Sequence, residues 1–443
     1  MDARSAPAER TPVRIGVLGL GTVGQALLRL LAASQSRIER RIGRRLAVTH
    51  VALRDPQRRR DCDLSAVALS TDPRAVVTAD VDVVVELIGG ISPARELVLA
   101  ALAAGKAVVT ANKALLAESG GEIFSAAEIA GQPLGFEAAV GGGIPIIKAL
   151  REGLAANRID EIAGIINGTS NYILTEMSRR GIAFEVALGR AQRLGYAEAD
   201  PRFDVDGIDA AHKLAILAAI AFATPPDFAA IQRDGLARVH PDDIRLAGEL
   251  GYRIKPLAIA KRHGGGLELR VHPTLVPHAH PLALVDGSVN AVRVKGDAVG
   301  QTLYIGRGAG GLPTASAVLA DLIEIARTRG CAAVLPPALG WPQASLAPLP
   351  VLPTAATVSS FYLRLRVADT PGVLRAITAH LAEAEISVEA ILQKEPEAGA
   401  DAQLAIITSA VTAADFEQAL AQIRALDFVR PDHSCLRVEH FDD

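Results

Sequence analysis

Short, almost continuous apolar runs alternate with longer amphipathic stretches over the first 150 residues. The runs at 14–18, 47–53, 81–88, 107–110 and 134–140 carry few polar breaks. Such runs predict strands of a parallel sheet covered on both faces. Between them, Leu27, Leu28, Leu30 and Leu31 fall on one face of a helix, and 93–104 forms a second helix stopped by Gly105. Strand alternating with helix predicts an α/β, doubly wound sheet over 13–150. From about 153 the pattern changes. Helices at 170–180, 184–195 and 207–222 precede alternating segments at 253–261, 267–276 and 289–295. This predicts an α+β domain over 151–304, with a helix at 314–329 that returns the chain to the first domain through 305–335. Residues 336–358 are rich in Pro, Ala and Ser and read as a semi-rigid linker. The segment 359–443 reads strand, helix, strand, strand, helix, strand, a ferredoxin-like βαββαβ unit.

Composition narrows the classes. Half of the 443 residues are hydrophobic, yet no stretch of ~20 apolar residues lacks charge, so no membrane span is expected. The polar lead-in at 1–12 has no apolar core of a secretory signal. Net charge is −3, which offers no basic field for nucleic acid. Cys62, Cys331 and Cys435 are far apart and form neither a metal spacing nor a disulfide framework. A reduced, cytoplasmic protein is the simplest expectation.

The chemistry concentrates in a few segments. Gly19-Leu20-Gly21-Thr22-Val23-Gly24 stands between a strand and a helix, the context in which a glycine turn presents a helix N-terminus to pyrophosphate. A plain tight turn is the alternative. After the second strand comes Arg54, where an acidic residue would suit the ribose hydroxyls of NAD; Arg suits a 2′-phosphate, and Arg58 to Arg60 add charge. The expectation is NADP, with NAD possible because Asp55 is adjacent. Lys113 follows a strand end, where open sheets place ligands; alone it would read as an exposed helix-start lysine. Glu137 runs into Gly141-Gly142-Gly143, which reads as a hinge or as a hard-cation site of carboxylate and carbonyls. In 167–171, Ser170 or Thr169 is a natural N-cap, and the same turn could hold a carboxylate. The segment 306–316 is a second glycine turn opening a helix.

The densest segment is 195–213. It gathers Glu198, Asp204, Asp209 and Lys213, the last two four apart on a helix starting near Asp206. A surface loop with one ordinary ion pair is the bland alternative. Ionisable groups beside so apolar a helix are costly unless they bind a ligand or do chemistry.

Taken in order, GLGTVG, TANK, EAAVGGGIPII, NGTSNYIL, GYAEADP with its following acids and lysine, and GAGGLPTASAV resemble the homoserine dehydrogenase family over about 13–330. The first domain is then of Rossmann type and the second is the catalytic and dimerisation domain. Residues 361–443 resemble an ACT domain, with the turn at 367–374. No aspartate kinase half precedes them. The resemblance implies NAD(P)-dependent interconversion of L-homoserine and L-aspartate 4-semialdehyde in threonine, methionine and isoleucine biosynthesis. It implies Lys213 as proton donor and Lys113 near the nicotinamide and the substrate oxygen. It implies Glu198, Asp204, Asp209 and Thr169 at the substrate. Cofactor contacts are implied for the Gly19–Gly24 turn, Arg54, Ile88, Ala111, Lys113 and Gly308. Glu137 with main-chain oxygens of Val140, Gly142 and Ile144 would hold a monovalent cation, sodium in most of the family. Arg307 departs from the family, which often has Pro there. The tail implies a homodimer or homotetramer, with threonine as an effector.

Reducing an aldehyde requires an acid at the oxygen. Lys213 beside Lys113 would lower both lysines, with Asp209 opposing. Two rivals remain: another Rossmann oxidoreductase of a small sugar or amino acid, and an amino-acid sensor built on an inactive dehydrogenase. The first would need a different acid and lysine set. The second would be favoured by loss of Lys113, Lys213 or the first glycine turn, and all three are present.

Overall fold

The structure, a computed structural model, describes residues 10–329, 336–394 and 401–441. The lead-in before Arg10, Cys331 and the end of the returning segment at 330–335 lie outside the described residues. The chain forms two compact units. One comprises the chain up to Ile159, His212–Ala229 and Lys295–Pro348; the other comprises Asp160–Ala211, Ala230–Val294 and the chain from Leu349. The helix Ile208–Phe222 is thus shared, with Asp209 in the second unit and Lys213 in the first.

The first unit is built on a six-stranded parallel sheet. Its strands are β1 (Arg10–Leu18), β2 (Arg44–Ala52), β3 (Ala68–Ser70), β4 (Val83–Glu86), β5 (Ala107–Thr110) and β6 (Leu134–Gly135), in the order β3-β2-β1-β4-β5-β6. The order reverses between β1 and β4, paired from Ile15↔Val83 to Leu18↔Glu86. This switch point is where an open α/β sheet binds its ligand. Val13, Ile15, Val17, Val83, Val85 and Val109 form the core with Leu27 and Leu31 of the helix Thr22–Ile42 and with Val318 and Leu322 of the helix Gly311–Thr328.

Two differences from the sequence expectation have physical causes. The run at 134–140 is a strand only over Leu134–Gly135 and then turns into a 3-10 segment, Glu137–Ala139. Asp321 drives the bend: its Oδ2 accepts from Glu137 N at 2.9 Å, and a Cβ at Gly135 would lie 2.6 Å from Asp321 Cβ. Strand β3 and the helix Pro73–Thr78 lie in a polar stretch without clear periodicity. The helix is set locally by Asp72, whose Oδ1 caps Arg74 N at 2.9 Å.

In the second unit one sheet runs Val289–Gly296, Ile159–Ile165, Tyr252–His263, Gly266–Pro277, Val429–Val438, Val358–Val367, Ala402–Thr408, Val388–Lys394. The last four strands, with helices Val373–Glu383 and Ala413–Arg424, make the βαββαβ unit. It does not hang free. Its strand Val429–Val438 pairs in parallel with Gly266–Pro277 through Thr274↔Arg437 and Leu275↔Val438. Buried Arg364 Nε also donates to buried Asp243 Oδ1 at 2.7 Å. The expected linker is divided between the units. Trp341 Nε1 donates to Ile220 O at 2.7 Å in the first unit, whereas Leu267 N donates to Pro350 O at 2.9 Å in the second.

Candidate functional site

The glycine turn after β1 meets each steric demand of a phosphate loop. Gly19 has φ +98°, and a Cβ there would stand 2.7 Å from Leu87 O; a Cβ at Gly24 would stand 2.5 Å from Gly19 O. A Cβ at Gly21 would meet nothing within 4 Å, so a ligand can approach the backbone there. No side chain caps the helix Thr22–Ile42 at Gly21, which leaves its first-turn amides to an anion. The turn lines a cleft of about 450 Å³, together with Leu53, Arg54, Arg58 and Ile88. Asp55 is not in the cleft wall, and its Oδ1 accepts from Gln57 N at 2.9 Å and Arg58 N at 3.2 Å. Arg60, also in the cleft wall, is held by the carbonyls of Arg58 and Asp55, both at 2.7 Å.

Deeper along the strand ends, buried Glu86 organises the turn that carries Lys113. Its Oε1 accepts from Ile88 N (2.7 Å) and Gly89 N (3.0 Å), and its Oε2 from Thr110 Oγ1 (2.6 Å). Thr110 Oγ1 in turn accepts from Asn112 N at 3.0 Å, and Asn112 caps the helix Lys113–Glu118 by accepting from Leu115 N at 3.1 Å. Lys113, half-buried, is the first residue of that helix, and Ala111 N bonds Glu86 O at 3.4 Å. The sequence reading did not single out Glu86 or Asn112; a lone acid ending an apolar strand was the available signal. At the other end of this helix, Glu118 Oε1 lies 2.9 Å from Nε2 of His212, whose ring stacks on Phe228 at 4.2 Å. His212 is thereby fixed, and with it the turn that carries Lys213, which is 7 % exposed.

The acidic set lies in the second unit and is organised by Asn167. Its Oδ1 caps the helix Gly168–Arg180 by accepting from Ser170 N at 2.8 Å. Its Nδ2 donates to Asp204 Oδ1 and to Asp209 Oδ2, both at 2.7 Å. The cap is therefore Asn167, not Ser170 or Thr169. Those hydroxyls hold the 195–206 loop instead: Thr169 Oγ1 donates to Tyr196 O at 2.8 Å and Ser170 Oγ to Asp204 O at 3.0 Å. Asp209 sits in the first helical turn and is buried, Asp204 is half-buried and Glu198 is exposed. The structure thus joins Asp204 and Asp209 through one amide and leaves the Glu198 side chain at the surface.

The third cluster lies around the triple glycine. Both carboxylate oxygens of buried Glu137 accept backbone amides, from Ile147 at 2.9 Å and Lys148 at 3.0 Å. Burial, and then the charge of Asp321, pushes its pKa up to about 7. Gly142 has φ +47°, and a Cβ there would lie 2.6 Å from Gly308 O. Gly308 therefore packs on this turn, and Gly143 N donates to Arg307 O at 2.8 Å. Ile144 O already accepts from Ile146 N at 2.8 Å. Among the described residues no group of three or more acidic, His or Cys side chains could hold a metal. Both Glu137 oxygens being hydrogen-bonded, any cation at this turn would draw its further ligands from main-chain carbonyls.

Comparison with known proteins now bears on these clusters. Residues 19–137 match the homoserine dehydrogenase NAD-binding domain, 145–323 the homoserine dehydrogenase family and 361–428 the ACT domain. A homoserine dehydrogenase of Neisseria gonorrhoeae is 49 % identical over 98 % of this chain and 100 % of its own length. The chain belongs to the homoserine dehydrogenase family. A second relative, from Pseudomonas aeruginosa, is 47 % identical over 97 % of this chain and 100 % of its own. The crystal structure of a homoserine dehydrogenase from Thiobacillus denitrificans superposes with a TM-score of 0.90 at 49 % identity, covering 98 % of this chain and 99 % of that one. A hyperthermophilic archaeal homoserine dehydrogenase in complex with NADPH is more distant, with a TM-score of 0.61 at 29 % identity over 71 % of this chain and 97 % of that one. The protein is a homoserine dehydrogenase of amino-acid biosynthesis, an oxidoreductase acting on a CH–OH group. It carries a nicotinamide-binding Rossmann domain and a C-terminal ACT domain. No described helix is long and apolar enough to cross a membrane.

Proposed function

We propose that Lys213 is the acid and base of the homoserine–aspartate semialdehyde interconversion, with Lys113 near the reacting oxygen and Asp204, Asp209, Glu198 and Thr169 at the substrate. The observation that carries this reading is Lys213, 7 % exposed, one helical turn after an Asp209 held by Asn167 at 2.7 Å. The nicotinamide supplies the hydride chemistry when bound. Lys213 holds a proton at the aldehyde oxygen in reduction and receives it from the hydroxyl in oxidation. Asp204 and Asp209 present fixed negative charge to the substrate ammonium. Asn167→Ala should let these two carboxylates separate and raise the apparent homoserine constant about tenfold, with turnover less affected. Steady-state kinetics checks it, and an unchanged constant counts against Asn167 as organiser.

NADP is the preferred cofactor in this reading, because Arg54 and Arg58 line the cleft while Asp55 does not. The Gly19–Gly24 turn, Ile88, Ala111 and Gly308 complete the cofactor set. Arg54→Ala should raise the apparent NADP constant roughly tenfold or more and leave that for NAD almost unchanged. Equal changes for the two cofactors would overturn the preference.

A monovalent cation, sodium first, is assigned to the carbonyls of Val140, Gly142 and Ile144 beside Glu137. Glu137, with a folded pKa of about 7 against an ordinary 4.5, binds protons in the folded state that the unfolded state releases. Stability therefore falls as pH rises from about 4.5 to 7. A cation near this carboxylate offsets that loss. Sodium chloride should raise Tm more at pH 8 than at pH 5, and more than tetramethylammonium chloride does. Identical effects of the two salts would remove the site.

The proposed functional division is 13–150 with 305–335, then 151–304, then a linker at 336–358 and 359–443 as regulatory tail. Threonine is the proposed effector at that tail, in a cytoplasmic homodimer or homotetramer.

A further inference from the structure

The second unit holds a cavity of about 900 Å³ that none of these roles uses. It lies along the strands Gly266–Pro277 and Val429–Val438, lined by Arg270 to Pro273 of the first and His433 to Arg437 of the second. Five guanidinium groups line it, from Arg233, Arg238, Arg270, Arg424 and Arg437, against the carboxylates of Asp234 and Glu417.

Two of these arginines are built differently. Arg270, 2 % exposed, is already compensated: its Nε bonds Glu268 Oε1 at 2.5 Å, and its Nη2 pairs with Glu439. Its Nη1 lies 2.7 Å from His272 Nε2, which makes that ring nitrogen an acceptor and the ring neutral. Arg437 has no such partner. Its Nη1 donates to Ser359 Oγ at 2.8 Å, and its guanidinium lies 5.2 Å from the Phe361 ring centre. Among the described residues no carboxylate forms an ion pair with it. Burial, and then the neighbouring Arg270, pushes its pKa below the usual arginine value, with the charges of Glu268, Cys435 and Glu439 opposing in part. Glu268 and Glu439 are hydrogen-bonded to Arg270, so the half-buried Arg437 fork keeps donors without a carboxylate in contact, and an anion in the cavity would complete it. The first turn of the helix Ala413–Arg424 also faces the cavity through Ala413 and Ala414, which adds positive potential on the same side.

We propose that this cavity binds a small organic anion through a carboxylate or phosphate group seated in the Arg437 fork, with Phe361 packed beneath the guanidinium. A planar fork reads both oxyanions in two parallel hydrogen bonds. The volume admits more than a bare ion, within the range of small-molecule sites. Because Arg437 is itself a member of the pairing that joins the two strands, a bound anion ties the βαββαβ unit more firmly to the strand Gly266–Pro277. The proposal is independent of threonine as effector.

The test is calorimetric titration of the full chain, saturated with NADP so that the first cleft is filled, using inorganic phosphate in one series and succinate in another. Binding of either probe, weakened about tenfold or more in Arg437→Gln, is the expected result. Phosphate binding alone assigns a phosphate-bearing ligand, and succinate binding assigns a carboxylate. No binding of either probe to the native chain overturns the proposal, as does unchanged binding in Arg437→Gln. If Arg437→Gln does not fold, the exposed Arg424→Gln decides: weaker binding supports the site and unchanged binding removes it.

Discussion

Lys213→Ala is expected to lower turnover about a thousandfold while changing the apparent homoserine constant less than about threefold. The asymmetry follows from where the side chain sits. It is buried at 7 % exposure on an apolar helix, next to His212, which Glu118 Oε1 holds at 2.9 Å. A group so placed contributes most where charge develops on the substrate oxygen and little to binding of the ground state. Substrate binding is assigned instead to Asp204 and Asp209. Lys213→Arg should restore little, because a planar guanidinium that stays protonated cannot pass a proton back in the oxidative direction. The check is a full kinetic comparison in both directions at several pH values. A variant that loses binding and keeps turnover would reverse the roles of the lysine and the carboxylates.

Asp243→Ala is expected to cost roughly 3–5 kcal/mol of stability, the range for leaving one member of a buried ion pair uncompensated. Asp243 is fully buried, as is its partner Arg364, at 2 % exposure. Its carboxylate accepts from Arg364 Nε at 2.7 Å, and its other oxygen accepts from His240 N at 2.9 Å to close a capping box on the helix Pro241–Glu249. The substitution therefore removes a helix cap and strands a charge at once. Asp432, 3.1 Å from Arg364 Nη1, is 43 % exposed and compensates only in part. A denaturant titration checks the magnitude. The pairing Asp243→Leu with Arg364→Leu should recover most of the loss, since it leaves no buried charge uncompensated and Asp432 is 43 % exposed. A single variant as stable as the native chain would mean that the tail is not anchored through this pair.

What could be read in the sequence and what could not divide along range. The first sheet was legible because runs such as 81–88 are apolar at nearly every position, which only a strand covered on both faces tolerates. The glycine turn was legible because its spacing and its place between a strand and a helix are local features, and Gly24 must clear the nearby Gly19 O; the demand on Gly19, whose Cβ would meet Leu87 O, comes from the neighbouring strand end and is not local. The strand expected at 134–140 failed because Asp321, 184 residues away from Glu137, turns the chain there. Asn167 escaped notice as the cap because Asn, Thr and Ser are all good caps on local grounds. Its bonds to Asp204 and Asp209, 37 and 42 residues on, are invisible to spacing. The parallel contact between Thr274 and Arg437 is likewise a matter of long-range register, which no periodicity in either strand announces.

The measurement that bears most directly on the account is the initial rate of nicotinamide reduction, followed at the absorbance of the reduced ring, with the full chain, L-homoserine and sodium, in parallel with NADP and NAD. The account predicts turnover with both cofactors, a lower apparent constant for NADP, and almost none with Lys213→Ala under the same conditions. Native-level turnover in Lys213→Ala, or a folded native chain inactive with either cofactor, would contradict it.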